Sequence, residues 1–514
     1  MARVGYCIVL TLILGSCAQV GTISGGEKDT AAPAPIPEKT VPENASVFMV
    51  GQEVSIVFDE FFTLVDPSQN IQIVPPHAKI NARAKGKTLY VSWDEVLKDN
   101  TTYAIYLNRA VKDLSEGNDS IIQYVFSTGA TLDSLYYDFP IVDATNGRPV
   151  QDVTCVLYSE SGDLVNYSLS NESGIARMRY LATGRYKPLV FEDENKDMVP
   201  QVQERVGFPA DSIIAIDSSG IFDPIRLFSP APKAEIEDVK YQPPASYFVH
   251  STVPLIEPRV FVGEVEVDTS LFAQISENSL QVFVDPDSIF SGSIAVHSEL
   301  MTDTSDYRLL KSQAQTNTRL YCTAPKNTFA PSETVSIFAN DIIRAIDTMK
   351  IAVYGEDSIR IYPTFSVKRN ELLLDFPFEK TSDFEIVFDA NAVSTRVGEN
   401  TETSIKVKRN SAKKYGSLVV TLEAYTEPIV LVVKQGKTTV HSIPITTFGE
   451  PVSIEELAPG EYTFEVIRDR TENGRWDTGD LSSRTQPETI DFFSKPTKVR
   501  ANWSVEITLH PTHP

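Results

Sequence analysis

Hydrophobic and polar positions alternate along most of this chain. Val54-Ser55-Ile56-Val57-Phe58, Leu89-Tyr90-Val91-Ser92-Trp93 and Tyr103-Ala104-Ile105-Tyr106-Leu107 repeat with period two, and Tyr124-Val125-Phe126-Ser127 closes the set. Period two places alternate side chains on opposite faces of a strand, one buried and one wet. Gly86-Lys87, Asp99-Asn100 and Gly117-Asn118 lie between the runs, where hairpin and loop chemistry is required. Short strands at about 10-residue spacing, with no helical period between them, predict an antiparallel β-sandwich over residues 36–129.

The same texture continues. Gly147-Arg148-Pro149-Val150 leads into Val153-Thr154-Cys155-Val156-Leu157-Tyr158. Ser173-Gly174 turns into Ile175-Ala176-Arg177-Met178, and Thr183-Gly184-Arg185-Tyr186 into Lys187 to Phe191. A second sandwich over 130–229 follows. Part of it returns near the end. Leu181-Ala182-Thr183-Gly184-Arg185-Tyr186, followed by Glu192-Asp193-Glu194-Asn195-Lys196-Asp197, is mirrored by Leu457-Ala458-Pro459-Gly460-Glu461-Tyr462, followed by Asp469-Arg470-Thr471-Glu472-Asn473-Gly474. The repetition predicts a duplicated sandwich over 411–514, closed by the strand Trp503 to Leu509. Residues 230–410 are too long for one small sandwich and read as one or two more. Lys350 is a candidate seam, which nothing in the sequence fixes.

The first residues differ in kind. Arg3 precedes an apolar run, Val9-Leu10-Thr11-Leu12-Ile13-Leu14, that ends in Gly15-Ser16-Cys17. The run is shorter than the about 20 residues a membrane-spanning helix needs, so it reads as a secretion signal over residues 1–16. Its end resembles a bacterial lipobox. That resemblance implies cleavage between Ser16 and Cys17 and lipidation, palmitate included, of Cys17. Residues 17–35, rich in Gly and Pro, read as a lipidated flexible tether.

Gly25-Gly26-Glu27-Lys28-Asp29-Thr30, Val57-Phe58-Asp59-Glu60-Phe61, Leu107-Asn108-Arg109-Ala110-Val111-Lys112-Asp113, Glu116-Gly117-Asn118 and Tyr124-Val125-Phe126-Ser127-Thr128-Gly129 together resemble a family of Bacteroidota outer-membrane lipoproteins. That family carries a surface-layer-type bacterial Ig-like domain near its N-terminus. The order "Pro-Val, strand, Gly turn, strand, Gly-x-Tyr, strand" resembles the carboxypeptidase-regulatory-like, or transthyretin-like, sandwich. The resemblances imply an all-β protein of tandem Ig-like and transthyretin-like sandwiches in the cell envelope. They bring no catalytic residues.

Composition narrows the partners. The chain has 42% hydrophobic and 10% aromatic residues, enough for packed cores, and a formal charge of −23. So acidic a body is repelled by nucleic acid and by anionic headgroups. Cys7 leaves with the signal and Cys17 takes lipid, so Cys155 and Cys322 remain, and stability is not expected to depend on disulfides.

The sharpest candidate chemistry lies in the two acidic loops. Asp193, Asn195, Asp197 and Glu204 stand at positions 1, 3, 5 and 12 of a calcium-loop spacing, with Val199 placed to offer a carbonyl and Met198 where a Gly is usual. Asp469, Thr471, Asn473, Asp477 and Asp480 stand at 1, 3, 5, 9 and 12, with Gly474 at position 6. One reading is a structural calcium ion, the only cofactor suggested. The other is a loop whose Asp and Asn side chains cap their own turns.

Gly86-Lys87-Thr88 and Gly436-Lys437-Thr438 end like phosphate-binding loops, but Asn81 and Leu431 stand where the first Gly belongs. No Gly-x-Ser-x-Gly elbow occurs, and the six histidines are scattered. Thr30 sits in an Asp-Thr-apolar sequence that resembles a Bacteroidota O-glycosylation acceptor. Tyr136-Tyr137 and Trp476 are candidates for a glycan-binding face.

These observations point to a non-enzymatic scaffold or protein-interaction module. It would be lipid-anchored in the outer membrane and act through reach and avidity as a string of domains. The alternatives are a surface glycan-binding or adhesion lipoprotein and, further off, an envelope hydrolase with its site in 230–410. Ala18-Gln19-Val20-Gly21 lacks the acidic run that resembles a surface-export signal, which favours the periplasmic face. The expected partners are the membrane, through the lipid, and an envelope protein or glycan.

Overall fold

In strand Thr88–Trp93 every second side chain is fully buried, and strand Glu53–Val57, which pairs with it, follows the same alternation. The computed structural model to which these strands belong describes residues 29–512, except 77–78, 314–318, 322–326 and 377–381. Within them the protein is all-β. Its sheets are mostly antiparallel and its helices are single turns.

The chain forms two compact units. One comprises residues up to Pro140 with Gln151–Pro200 and Asp211–Pro224; the other comprises Ile141–Val150, Gln201–Ala210 and Ile225 onward. Residues 130–229 therefore contribute to both.

In the first unit the Ig-like sandwich packs the sheet ordered Glu53–Val57, Thr88–Trp93, Ile80–Lys85 against one built around the long strand Thr102–Asp113. Val54, Ile56, Leu89, Val91 and Trp93 meet Tyr103, Ile105, Leu107 and Phe126 in one core. Trp93 stacks on Phe126 at 5.5 Å, a pairing that adds about 1 kcal/mol beyond area burial. Gly86, at φ 63°, and Lys87 form the two-residue turn between Ile80–Lys85 and Thr88–Trp93, so this Gly-Lys is a hairpin and not a phosphate cradle.

The sandwich begins earlier than Ile36. Asn118 donates from Nδ2 to the carbonyls of Asp29 and Ala31, and Ala34 N–H donates to Asp59 Oδ1. These bonds hold 29–35, expected as free tether, against the body. The rest of the tether, the signal and Cys17 lie outside the described residues.

Strand Thr154–Ser159, buried through Leu157, centres the next sheet of this unit, between Leu164–Leu169 and Gly184–Phe191. It is joined to the Ig-like sandwich and not merely strung after it. Tyr106 Oη donates to Asn166 Oδ1 at 2.8 Å, Asn108 Nδ2 donates to Tyr167 Oη at 2.7 Å, and the two tyrosine rings pack at 4.5 Å.

The second unit holds separate cores over 245–309, 329–407 and 418–509. Strands Val335–Ala339 and Ile351–Tyr354, which flank Lys350, feed the same core, so no seam falls there. Arg396 connects two of these bodies. Its guanidinium grips the fully buried Asp341 at 2.5 Å and also donates to the carbonyl of Ala245. In the last sandwich Ser504–Leu509 runs parallel to Gly416–Leu422, and Gly436-Lys437 makes a second two-residue hairpin.

Candidate functional site

The repeat seen in the sequence is a repeat of geometry. Tyr186 Oη donates to the carbonyl of Ala182 at 2.8 Å, and Tyr462 Oη to that of Ala458 at 2.6 Å. Beyond each tyrosine the acidic loop closes on its own first residue. Asp193 accepts the N–H groups of Asp197 and Met198 at 3.1 and 3.0 Å; Asp469 accepts those of Asn473 and Gly474 at 3.1 and 2.8 Å. Asn195 Oδ1 takes the N–H of Asp197, and Asn473 Oδ1 that of Arg475, both at 3.0 Å. Position 6 is left-handed in both, Met198 at φ 62° and Gly474 at φ 75°. Gly takes that conformation freely, whereas a side-chain-bearing residue is held there by the bonds on either side.

The oxygens proposed for calcium are therefore already engaged. Asp469 is buried and uses both carboxylate oxygens on backbone. Asp477 is reached by Thr471 Oγ1 at 2.7 Å and Asn473 Nδ2 at 2.8 Å. Asp480 lies one turn on, where it accepts the N–H groups of Ser482 and Ser483. In the first loop Asn195 Nδ2 reaches Asp197 Oδ2, while Glu204 accepts the N–H of Gln201. Among the described residues no group of three or more His, Cys, Asp or Glu is placed to hold a metal ion. The donor sets fit self-capped turns, in which the carboxylates of Asp193 and Asp469 accept backbone N–H groups with some of their lone pairs.

Each loop region also bonds to residues far from it in sequence. In the first unit, Lys196 Nζ donates to Asn70 Oδ1 of the Ig-like sandwich at 2.7 Å. In the second unit the longer loop reaches back much further in sequence. Thr478 Oγ1 donates to the carbonyl of Ser229 at 2.5 Å, and Gln486 Nε2 to that of Phe208 at 2.7 Å. Arg484 lies over the Phe208 ring, and Arg226 donates to Thr489 Oγ1. Gly479 packs against the Phe228 ring so closely that a Cβ there would stand 2.5 Å from it.

Glu488 organises this clasp. It is buried, and it accepts the N–H of Arg470 at 2.7 Å and that of Asp477 at 3.1 Å. Burial pushes its carboxyl above the usual carboxylate range, against the lowering effect of both N–H groups. No pattern in the sequence pointed to Glu488, Gln486, Phe208 or Phe228 acting together. They lie in irregular stretches without period, and their partners are some 280 residues away at the furthest.

The remaining candidates disperse. Thr30 is exposed on the segment pinned by Asn118. Trp476 is half-buried, with Nε1 bonded to the carbonyl of Glu488. Tyr137 packs on Phe139, while Tyr136 is half-exposed beside Arg177. Cys155 is a free, fully buried thiol, raised far above its ordinary pKa by burial, and so a packing residue and not a nucleophile. Cys322 and His513 lie outside the described residues.

Residues 29–128 match the family model described as the bacterial Ig-like domain. The first sandwich is a bacterial Ig-like domain. No curated protein matches the chain. Several solved structures align with the chain. One is the mixed-linkage glucan utilization locus protein SGBP-B of Bacteroides ovatus, solved with a mixed-linkage heptasaccharide: 10% identity over 72% of this chain and 94% of that one, TM-score 0.20. Another is the major pilin subunit BcpA of Bacillus cereus: 9% identity, 73% and 98%, TM-score 0.16. The Bacillus anthracis TIE protein aligns over 94% of this chain and 76% of its own at 9% identity, TM-score 0.16. At such scores none of them bears on function here.

Proposed function

We propose that this protein is a non-enzymatic scaffold or binding module of the cell envelope, one of the Bacteroidota lipoproteins that its N-terminal residues resemble. In this reading Cys17 carries the lipid, and an Ig-like domain and transthyretin-like sandwiches project from it toward an envelope partner. The observation that carries it is the duplicated acidic loop, which in each unit also grips residues far from it in sequence. Within each unit such contacts hold a surface in fixed geometry, and a partner then loses less orientational freedom on binding.

Protease shaving of intact cells, blotted for the C-terminal sandwich beside a periplasmic control, tests the address. Protection until the outer membrane is opened supports the periplasmic face. Digestion in intact cells places the body outside. Release of a Cys17→Ala variant into the soluble fraction is expected, and its retention in the membrane would overturn the lipid anchor.

A further inference from the structure

Within the first unit a cleft of about 390 Å³ opens between the Ig-like sandwich and the sheet that follows. Gln72 and Asn108 line it from the first, Tyr167 and Leu169 from the second, and Lys196 and Met198 from the acidic loop. Gln72 Oε1 and Asn108 Oδ1 are buried without a hydrogen-bond partner. Buried polar atoms are paired, with protein or with ordered water, in the great majority of cases, so two orphans on one cleft are two acceptors open to donors that enter it. Four residues of its wall, Arg109, Asp152, Lys196 and Met198, are held left-handed at φ 54°, 61°, 60° and 62°.

The charges of the wall decide the class of ligand. Arg109, Lys112 and Lys196 face Asp119, Asp152 and Asp193, so the signs balance. Arg109 pairs with Asp152 at 2.9 Å and with Asp119 at 3.6 Å. The ligand is therefore neutral. It must bring O–H or N–H donors to the amide oxygens, and it must cover the apolar Val65, Leu169 and Met198. We propose that this cleft binds a short neutral saccharide. Sugar hydroxyls both donate and accept, so they satisfy the Asn108 amide whichever way it is turned. Terminal amide torsions are soft, which lets both oxygens swing to meet them. The volume lies at the small end of ligand clefts, roughly 300–1,000 Å³. This assignment goes beyond the scaffold reading and stands without the lipid anchor.

The test is titration of the purified full-length chain, in detergent, with D-glucose, D-galactose, D-mannose, N-acetyl-D-glucosamine, maltose and cellobiose, followed by saturation-transfer NMR. At least one sugar is expected to bind saturably. Gln72→Met, which removes an orphaned oxygen, and Leu169→Trp, which fills the cleft, are each expected to weaken it by roughly tenfold or more. Gln72→Met is also expected to lower the melting point only slightly, because the oxygen it deletes is unpaired without ligand and the Nε2 bond it removes, to the Gln69 carbonyl at 3.1 Å, is exposed; a structural role would lower the melting point markedly. The assignment is overturned if no sugar binds the folded wild type saturably, or if affinity is unchanged in both variants. Preference for D-glucuronate over D-glucose overturns the charge argument.

Discussion

Gly479→Ala puts the clasp of the second unit to a direct test. The new Cβ would lie 2.5 Å from Phe228 Cζ, 2.7 Å from Cε1 and 2.8 Å from the Thr485 carbonyl oxygen. Comfortable carbon–carbon contact is about 3.5–4.0 Å, so the ring or the loop must move by about 1 Å. Phe228 is 1% exposed and has nowhere to go without disturbing Phe208, which it meets edge-on at 5.8 Å. Overpacking of this kind costs about 1–3 kcal/mol. A chain of several cores does not melt in one step, so the readout should be local.

The amides to follow by hydrogen exchange are Asp480 and Thr485, which bond each other's carbonyls, and Val206 and Phe228, which do the same, all at 2.9 Å. A cost of about 1–3 kcal/mol confined to the clasp should speed their exchange by about 5- to 150-fold. Amides of the core over 329–407 should hold their rates. Adding Phe228→Leu to Gly479→Ala should recover part of the loss, because the two sites share one contact. Exchange at the four amides within about twofold of wild type would refute the clasp.

Three further outcomes follow from the same structure. Glu488, raised by burial, makes a contribution to stability that is full below the unfolded value of about 4.3 and is lost as pH rises through the higher folded value. The difference in melting temperature between wild type and Glu488→Gln should therefore change across that interval, and a constant difference from pH 4 to 8 would show that Glu488 does not titrate there. Arg396→Ala strands Asp341 as a buried charge and should destabilise the second unit by about 3–5 kcal/mol in denaturant unfolding, whereas a loss below about 1 kcal/mol would mean that water reaches the site. Millimolar calcium should leave the melting temperature within about 1 °C in either direction; a concentration-dependent rise would mean that an ion displaces the capping bonds of Asp193 or Asp469.

Local pattern was enough for a good part of this protein. Period-two alternation in Val54–Phe58 and Leu89–Trp93 could only be strands with one dry face, and Gly-Lys pairs between such runs could only be tight turns. The internal repeat was legible because the tyrosine bonds within four residues of itself and each acidic loop closes within five. These are short-range interactions, and sequence order records them.

Tertiary structure decided the rest. Spacing alone could not tell that the loop carboxylates accept their own backbone N–H groups, because a calcium loop uses the same residues at the same intervals. The clasp depends on Gln486 meeting Phe208 and Thr478 meeting Ser229, and the cleft on Gln72 and Asn108 being brought beside Tyr167 and Met198. Asn108 and Met198 stand in motifs, but no period or motif pairs any of these residues with its partner. Their roles come from sheets of different sandwiches packing together, and a one-dimensional pattern does not encode which faces will meet.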